Sequence, residues 1–199
     1  MLGFEKAKHD VIITMDADLQ HEPETVPALA KSLFEGSEFV MGSRSVAGGG
    51  VGFEWSVYRR VVSTGATLLA WGLTNATDPM TGFFGTTKSV YQRGKQDINA
   101  AGFKIALEMI VRCGVQRVED IPITFREREA GESKLDGKVM RLYLEQLGSL
   151  YWSTYGGTGT ASAIGGCVVM FLFFCYGCLI TFMKYLDPTF NPNGPSAEL

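Results

Sequence analysis

No charged residue occurs between Glu145 and Lys184, and a chain with such a gap places its two parts in different surroundings. Inside the gap, residues 164–183 hold Val168, Val169, Met170, Phe171, Leu172, Phe173, Phe174, Leu179 and Ile180. At about 1.5 Å per residue, a helix of that length covers the roughly 30 Å of a bilayer's hydrocarbon layer. A single C-terminal transmembrane helix is therefore expected, with Tyr151, Trp152 and Tyr155 before it and Tyr185 after it as interfacial aromatics.

Elsewhere the chain has the charge density of an ordinary domain in water. Across all 199 residues, 46% are hydrophobic and 20% charged, with 18 Lys and Arg against 21 Asp and Glu. That excludes a disordered or collagen-like polymer, and no nucleic-acid partner is expected. The first ten residues carry no apolar core of a secretory signal, which leaves the domain facing the cytosol. Cys113 stands alone and Cys167, Cys175 and Cys178 fall in the apolar stretch, so no disulfide framework is expected. The sequon at Asn75-Ala76-Thr77 reads as a chance match. The division that follows is a domain over 1–145, an interfacial linker over 146–163, a span over 164–183 and a tail over 184–199.

Val11-Ile12-Ile13-Thr14-Met15 is a short β-branched run, as a strand buried on both faces reads. It breaks off in Asp16-Ala17-Asp18. Pro23 and Glu24 open a helix that runs to Phe34 before Gly36, and Phe39-Val40-Met41 is the next strand. Strand, helix and strand form a βαβ unit, which implies an α/β fold with a parallel sheet. The glycines at 48–50 read as a flexible loop, 56–72 as a helix, and 82–85 as a segment bounded by glycines. Residues 102–113 read as helical, and 118–125 as an edge strand because Pro122 cannot donate to a central ladder. Residues 127–134 are a charged loop, and Val139, Met140, Leu142, Tyr143, Leu147 and Leu150 form a helical apolar stripe.

Asp16 and Asp18 stand at the C-terminal end of a buried strand, where open α/β sheets bind their ligands. Spaced by two, both carboxylates face one crevice, and Gln20 continues the phase. Such oxygens suit Mg²⁺ or Mn²⁺ better than zinc, although an Asp-x-Asp alone also serves as a cap or turn. Arg44, at the end of the next strand, points to the same edge or makes a surface salt bridge. Arg59 and Ser63 lie four apart on a helix, so a guanidinium and a hydroxyl stand one above the other and can grip a phosphate. Arg126-Glu127-Arg128-Glu129 is a mixed-charge run, extended by Gly131-Glu132-Ser133-Lys134. Together Asp16, Asp18, Arg44, Arg59, Arg128 and Lys134 describe a site for phosphorylated substrates on a membrane-tethered domain.

Six stretches in order from about residue 10 to 145 then make a resemblance specific: 15–21, 42–44 with the glycines at 48–50, 59–63, 78–84, 102–104 and 125–135. The chain resembles the dolichol-phosphate mannosyltransferases, family 2 glycosyltransferases of GT-A (Rossmann-like) fold. The resemblance implies transfer of mannose from GDP-mannose to dolichyl phosphate, with inversion, for glycosylation and GPI-anchor pathways. It implies that Asp16, Asp18 and Gln20 hold Mg²⁺ or Mn²⁺, with Ala17 near the donor through its backbone. Arg44, Arg59 and Ser63 would meet phosphates, chiefly the acceptor's, and Arg128 and Lys134 would close over the donor diphosphate. Asp18 and Arg128 would carry the catalytic burden. The glycines at 48–50 would let an acceptor loop move, and 78–84 would shape the sugar end. The implied residence is the endoplasmic reticulum membrane, single-pass, with the catalytic domain facing the cytosol.

Members of that family carry a strand-helix-strand region before the Asp-x-Asp strand, and a βαβ unit needs about 30 residues or more. Asp16 comes too early for it, so an incomplete GT-A domain is expected. Two alternatives stay open: a related prenyl-phosphate glucosyltransferase, and a non-catalytic membrane adaptor paired with a complete transferase.

Overall fold

The computed structural model describes residues 1–54, 56–99, 104–127 and 137–186, without the side chains at 158, 160, 161, 163, 164, 167, 182, 185 and 186. A short helix α1 (Leu2–Lys6) sets Phe4 into the core and leads to strand β1 (Val11–Thr14). Pro23 then begins a 3-10 turn over Pro23–Thr25, where its missing N–H costs nothing, and helix α2 (Val26–Phe34) follows. Gly36, at φ 107°, ends it in a conformation that favours glycine. Strand β2 (Phe39–Ser43) is buried along its whole length. After a two-residue strand β3 (Gly50–Val51) comes helix α3 (Val57–Ala70), capped by Ser56 Oγ, which accepts from the Arg59 N–H at 3.3 Å. Strand β4 (Phe84–Thr87), helix α4 (Lys88–Gly94), helix α5 (Ile105–Arg112), strands β5 (Val118–Pro122) and β6 (Thr124–Phe125), and helix α6 (Gly137–Leu186) complete the described chain.

The main sheet has the order β1-β4-β2-β5. β2 and β5 are parallel, while β4 runs antiparallel to both β1 and β2. The expected βαβ unit therefore exists, with β1 and β2 pointing the same way, but the sheet is mixed because β4 lies between them. The segment read only as bounded by glycines is the strand that fills this gap. Gly85 makes the insertion possible: a Cβ there would come within 2.9 Å of Leu33 Cδ1, 3.0 Å of Ile13 and 3.1 Å of Val40. β5 is the edge strand that Pro122 requires. The glycines read as a free loop are partly strand: β3 pairs in parallel with β6, and the Gly50 N–H donates to Ile123 O at 3.0 Å.

Leu29, Leu33, Val40, Phe83 and Ile123 pack α2 onto one sheet face. Phe39, Met41, Phe84, Tyr91, Met109 and Ile110 join α4 and α5 to the sheet. α6 buries Tyr143, Leu147, Leu150 and Tyr151 against α3 and α5, as the apolar stripe predicts. It holds α3 by its hydroxyls: Tyr143 donates to Ala66 O at 2.7 Å, Tyr151 to Leu69 O at 2.8 Å, and Tyr155 to Gly72 O. Residues 146–163, expected as a linker, are helical, with the helix broken at Gly156 (φ 68°, ψ −174°). Beyond that break Phe171 returns to α3 and lies where a Cβ on Gly65 would stand. Residues 164–183 are helical, but among the described residues no helix is long and apolar enough to cross a membrane.

Candidate active site

β1 ends at Thr14, and the Asp-x-Asp loop follows at the C-terminal edge of the sheet. Asp18 Oδ1 accepts from the Gln20 N–H at 3.3 Å, closing an Asx turn. Leu19 sits at φ 60°, a conformation uncommon for a residue with a Cβ. That turn ends the alternation assumed from sequence: Gln20 does not continue the phase of Asp16 and Asp18 but is buried, at 2% exposure. Its side-chain amide donates to Arg126 O at 3.1 Å, and its carbonyl accepts from the Arg126 N–H at 2.8 Å. Gln20 therefore ties the acidic loop to the end of β6.

Asp16 keeps 60% of its side chain in solvent. Its carboxylate rests on Gly82, where a Cβ would come within 2.3 Å of Oδ2. His21 Nε2 approaches the same oxygen to 3.4 Å. Residues 78–84 therefore shape the floor under Asp16.

Arg44 follows β2 at the same sheet edge. Its guanidinium forks the Asp78 carboxylate through Nε at 2.6 Å and Nη2 at 2.7 Å, a buried bidentate pair instead of the surface bridge offered by the sequence. The guanidinium carbon also lies 4.9 Å above the Phe125 ring. Beneath the pair, Ser43 Oγ and Thr77 Oγ1 share a hydrogen bond of 2.6 Å, and the Thr77 N–H donates to Asp120 Oδ2 at 3.1 Å. Burial pushes the Asp120 carboxyl up, with the hydrogen bonds from Thr77 pulling the other way.

Lys104 closes the ring. Its Nζ donates to Met80 O at 2.8 Å. Burial, with the nearby Arg44, lowers the ammonium from its usual range, while Asp78 and Asp16 raise it. Lys104 at Met80 O, Arg44 at Asp78 and Asp16 at Gly82 thus all meet the stretch 78–82. Sequence reasoning assigned Lys104 no role. A signal was present: a lysine immediately before α5 sits at the end of a helix that repels cations. Such a placement makes sense beside an anion.

The structure brings Asp16, Arg44, Asp78 and Lys104 around one edge, with Ala17 and Asp18 on the same loop. Arg59 and Ser63 stand half-buried on α3, whose packing is onto α6. Arg128 and Lys134 lie outside the described residues. Asp16 and Asp18 offer the hard oxygens that Mg²⁺ or Mn²⁺ requires, and the Gly82 cradle leaves the Asp16 carboxylate its room. The donor set fits such an ion. Among the described residues no cluster of three or more His, Cys, Asp or Glu gathers, so the other ligands would be phosphate oxygens and water.

A mixed α/β domain thus carries acidic oxygens and the partly buried cations Arg44 and Lys104 at one sheet edge. The family model for glycosyl transferase family 2 matches residues 1–94. Over 180 residues the chain is 43% identical to a dolichol-phosphate mannosyltransferase of Saccharomyces cerevisiae, covering 87% of this chain and 67% of that protein. Over 156 residues it is 47% identical to a dolichol-phosphate mannosyltransferase of Mycosarcoma maydis, covering 77% of this chain and 53% of that protein. The chain belongs to the dolichol-phosphate mannosyltransferase group of the family 2 glycosyl transferases. It spans between about half and two thirds of the length of these relatives. A solved structure of glucosyl-3-phosphoglycerate synthase from Mycobacterium tuberculosis, in complex with Mn²⁺, UDP-glucose and glycerol 3-phosphate, is similar at 16% identity and TM-score 0.48. The match covers 76% of this chain and 51% of that one.

Proposed function

We propose that this chain carries the acidic-loop half of an enzyme that transfers mannose from GDP-mannose to dolichyl phosphate, inverting the anomeric centre. The observation that carries the reading is that Arg44 at Asp78, Lys104 at Met80 O and Asp16 at Gly82 all meet the one stretch 78–82, in a chain 43% identical to a dolichol-phosphate mannosyltransferase.

The acceptor phosphate has a second pKa near ~6 and is largely ionised at neutral pH, so it attacks without a strong general base. What the protein supplies is orientation and charge. Asp16 and Asp18 would hold Mg²⁺ or Mn²⁺, which when bound offsets charge on the departing diphosphate. Lys104, partly desolvated, adds a fixed positive charge at the same place. Arg44, held by Asp78, presents a guanidinium that cannot swing away. Arg59 and Ser63 would meet the acceptor phosphate, and Arg128 and Lys134 the donor diphosphate. The lipid acceptor accounts for an apolar segment after the domain, and the proposal includes residence in the endoplasmic reticulum membrane with the domain in the cytosol.

The test is incubation of the purified protein in detergent with labelled GDP-mannose, dolichyl phosphate and Mn²⁺. Labelled mannolipid is the expected product. Glucolipid from a UDP-glucose donor instead would reassign the donor, and no lipid product from folded protein would favour an adaptor.

A further inference from the structure

His21 follows the acidic loop directly and is almost wholly buried, at 2% exposure. Its ring is fixed on two sides, 5.4 Å from the Phe83 ring and 5.2 Å from the Phe125 ring, the latter edge-on. Phe83 follows Gly82, the residue on which the Asp16 carboxylate rests. Nδ1 is buried and has no hydrogen-bond partner among the described residues. Nε2 lies 3.4 Å from Asp16 Oδ2, within polar contact of the carboxylate.

These contacts settle the tautomer. A proton on Nδ1 would be a buried donor without an acceptor, whereas a proton on Nε2 faces a carboxylate. A proton on Nε2 is therefore the one that can point at Asp16, with the buried Nδ1 left unpartnered among the described residues. A buried imidazole pinned between two aromatic rings, with one donor aimed at a half-exposed carboxylate, does for that carboxylate what outer-shell partners do for metal ligands. It singles out Oδ2, the oxygen nearest both to Nε2 and to the place of a Cβ on Gly82.

We infer that His21 is a positioning residue, whose Nε2–H holds Asp16 Oδ2 and so aims Oδ1 of the same carboxylate toward a divalent cation. The inference rests on the reading that Asp16 and Asp18 bind Mg²⁺ or Mn²⁺. The Phe83 and Phe125 rings supply the rigidity: His21 cannot follow Asp16 if the carboxylate rotates, so rotation opens the 3.4 Å contact between Nε2 and Oδ2. Gly82 supplies the other wall.

The experiment measures Mn²⁺ binding by the loss of the free-ion electron paramagnetic resonance signal, using the full chain in detergent, alongside thermal unfolding without metal. His21→Phe keeps a ring between Phe83 and Phe125 and removes the donor. It should weaken Mn²⁺ binding about tenfold with a melting temperature equal to or above that of the parent. His21→Gln, whose amide nitrogen reaches the place of Nε2, should restore binding to within about threefold of the parent by the same outer-shell reasoning. His21→Asn, whose amide nitrogen takes the place of Nδ1, should bind as weakly as the Phe variant. A packing role alone gives the opposite: a lower melting temperature and unchanged Mn²⁺ binding in His21→Phe. Equal Mn²⁺ affinity in folded parent and His21→Phe overturns the inference and leaves the metal reading standing. Should the Phe variant not fold, the order Gln above Asn supports the role, and equal or reversed order overturns it. No uptake by the folded parent overturns both readings.

Discussion

Arg44 donates from Nε and Nη2 to the two oxygens of Asp78 at 2.6 and 2.7 Å, and Asp78 is only 2% exposed. Removing the guanidinium leaves a buried carboxylate with the long Arg44 backbone N–H contact, 3.3 Å, in place of a charged fork. Arg44→Ala should therefore lower stability by about 3 kcal/mol or more, whereas replacing both partners with apolar residues of similar volume should cost less than either single change. Denaturant titration of the three variants checks this. Arg44→Lys keeps the charge without the fork and should fall between the parent and the alanine variant.

Gly82 gives a cleaner separation of binding from folding. A methyl group there would stand 2.3 Å from Asp16 Oδ2 and 2.6 Å from its Cγ, so the carboxylate must swing away. Because Asp16 is well exposed, the swing costs little stability. Gly82→Ala should melt within about 2 °C of the parent, consistent with less than about 1 kcal/mol lost, yet bind Mn²⁺ at least about tenfold more weakly. Parallel calorimetry and thermal melts measure the two quantities.

Lys104 should trade stability against ligand binding. Burial and Arg44 hold its ammonium below the usual lysine range, so the folded state binds that proton less readily than the unfolded chain. The resulting cost is complete below the folded value and is relieved as pH rises from there to the ordinary lysine range. Lys104→Met should thus be as stable as the parent or more so at neutral pH, with any advantage shrinking at alkaline pH. Its affinity for GDP should fall about tenfold with the loss of one charge-assisted contact. Stability curves at two pH values with GDP titrations test both halves.

Asp120 obeys the reverse sign. Burial raises its carboxyl above the ordinary range, so the folded state holds that proton longer than the unfolded chain. The cost of the buried charge is present above the raised value and disappears as pH falls through the window down to the usual carboxylate range. Asp120→Asn preserves an acceptor for the Thr77 N–H and should raise the melting temperature at neutral pH by a few degrees. The gain should vanish in mild acid, which a pH series of melts shows directly.

Much of this arrangement is legible in the sequence because its signals are local. The β-branched run at β1, Pro23 before α2, Ser56 before α3 and Pro122 in the edge strand each act through their own backbone. Asp16 and Arg44 could be placed at one sheet edge because each follows a readable strand. β4 escaped because glycine is depleted in strands, and only the packing of Ile13, Leu33 and Val40 shows why Gly85 belongs there. The turn that buries Gln20 was not legible because Leu19 is not a residue type that announces a positive φ. The Arg44–Asp78 pair joins residues 34 apart and Lys104 meets Met80 across 24. No periodicity encodes those meetings.

The central claim is that Asp16 and Asp18 together create a divalent-cation site on which sugar transfer to a lipid phosphate depends. The direct measurement compares the parent with Asp16→Asn/Asp18→Asn in calorimetric Mn²⁺ binding and in mannolipid formation from labelled GDP-mannose. The account predicts Mn²⁺ uptake by the parent, none by the double variant, and a loss of product of about 10³-fold, in line with removal of a principal charge-stabilising element. Mannolipid formation at parental rate by the folded double variant would contradict it.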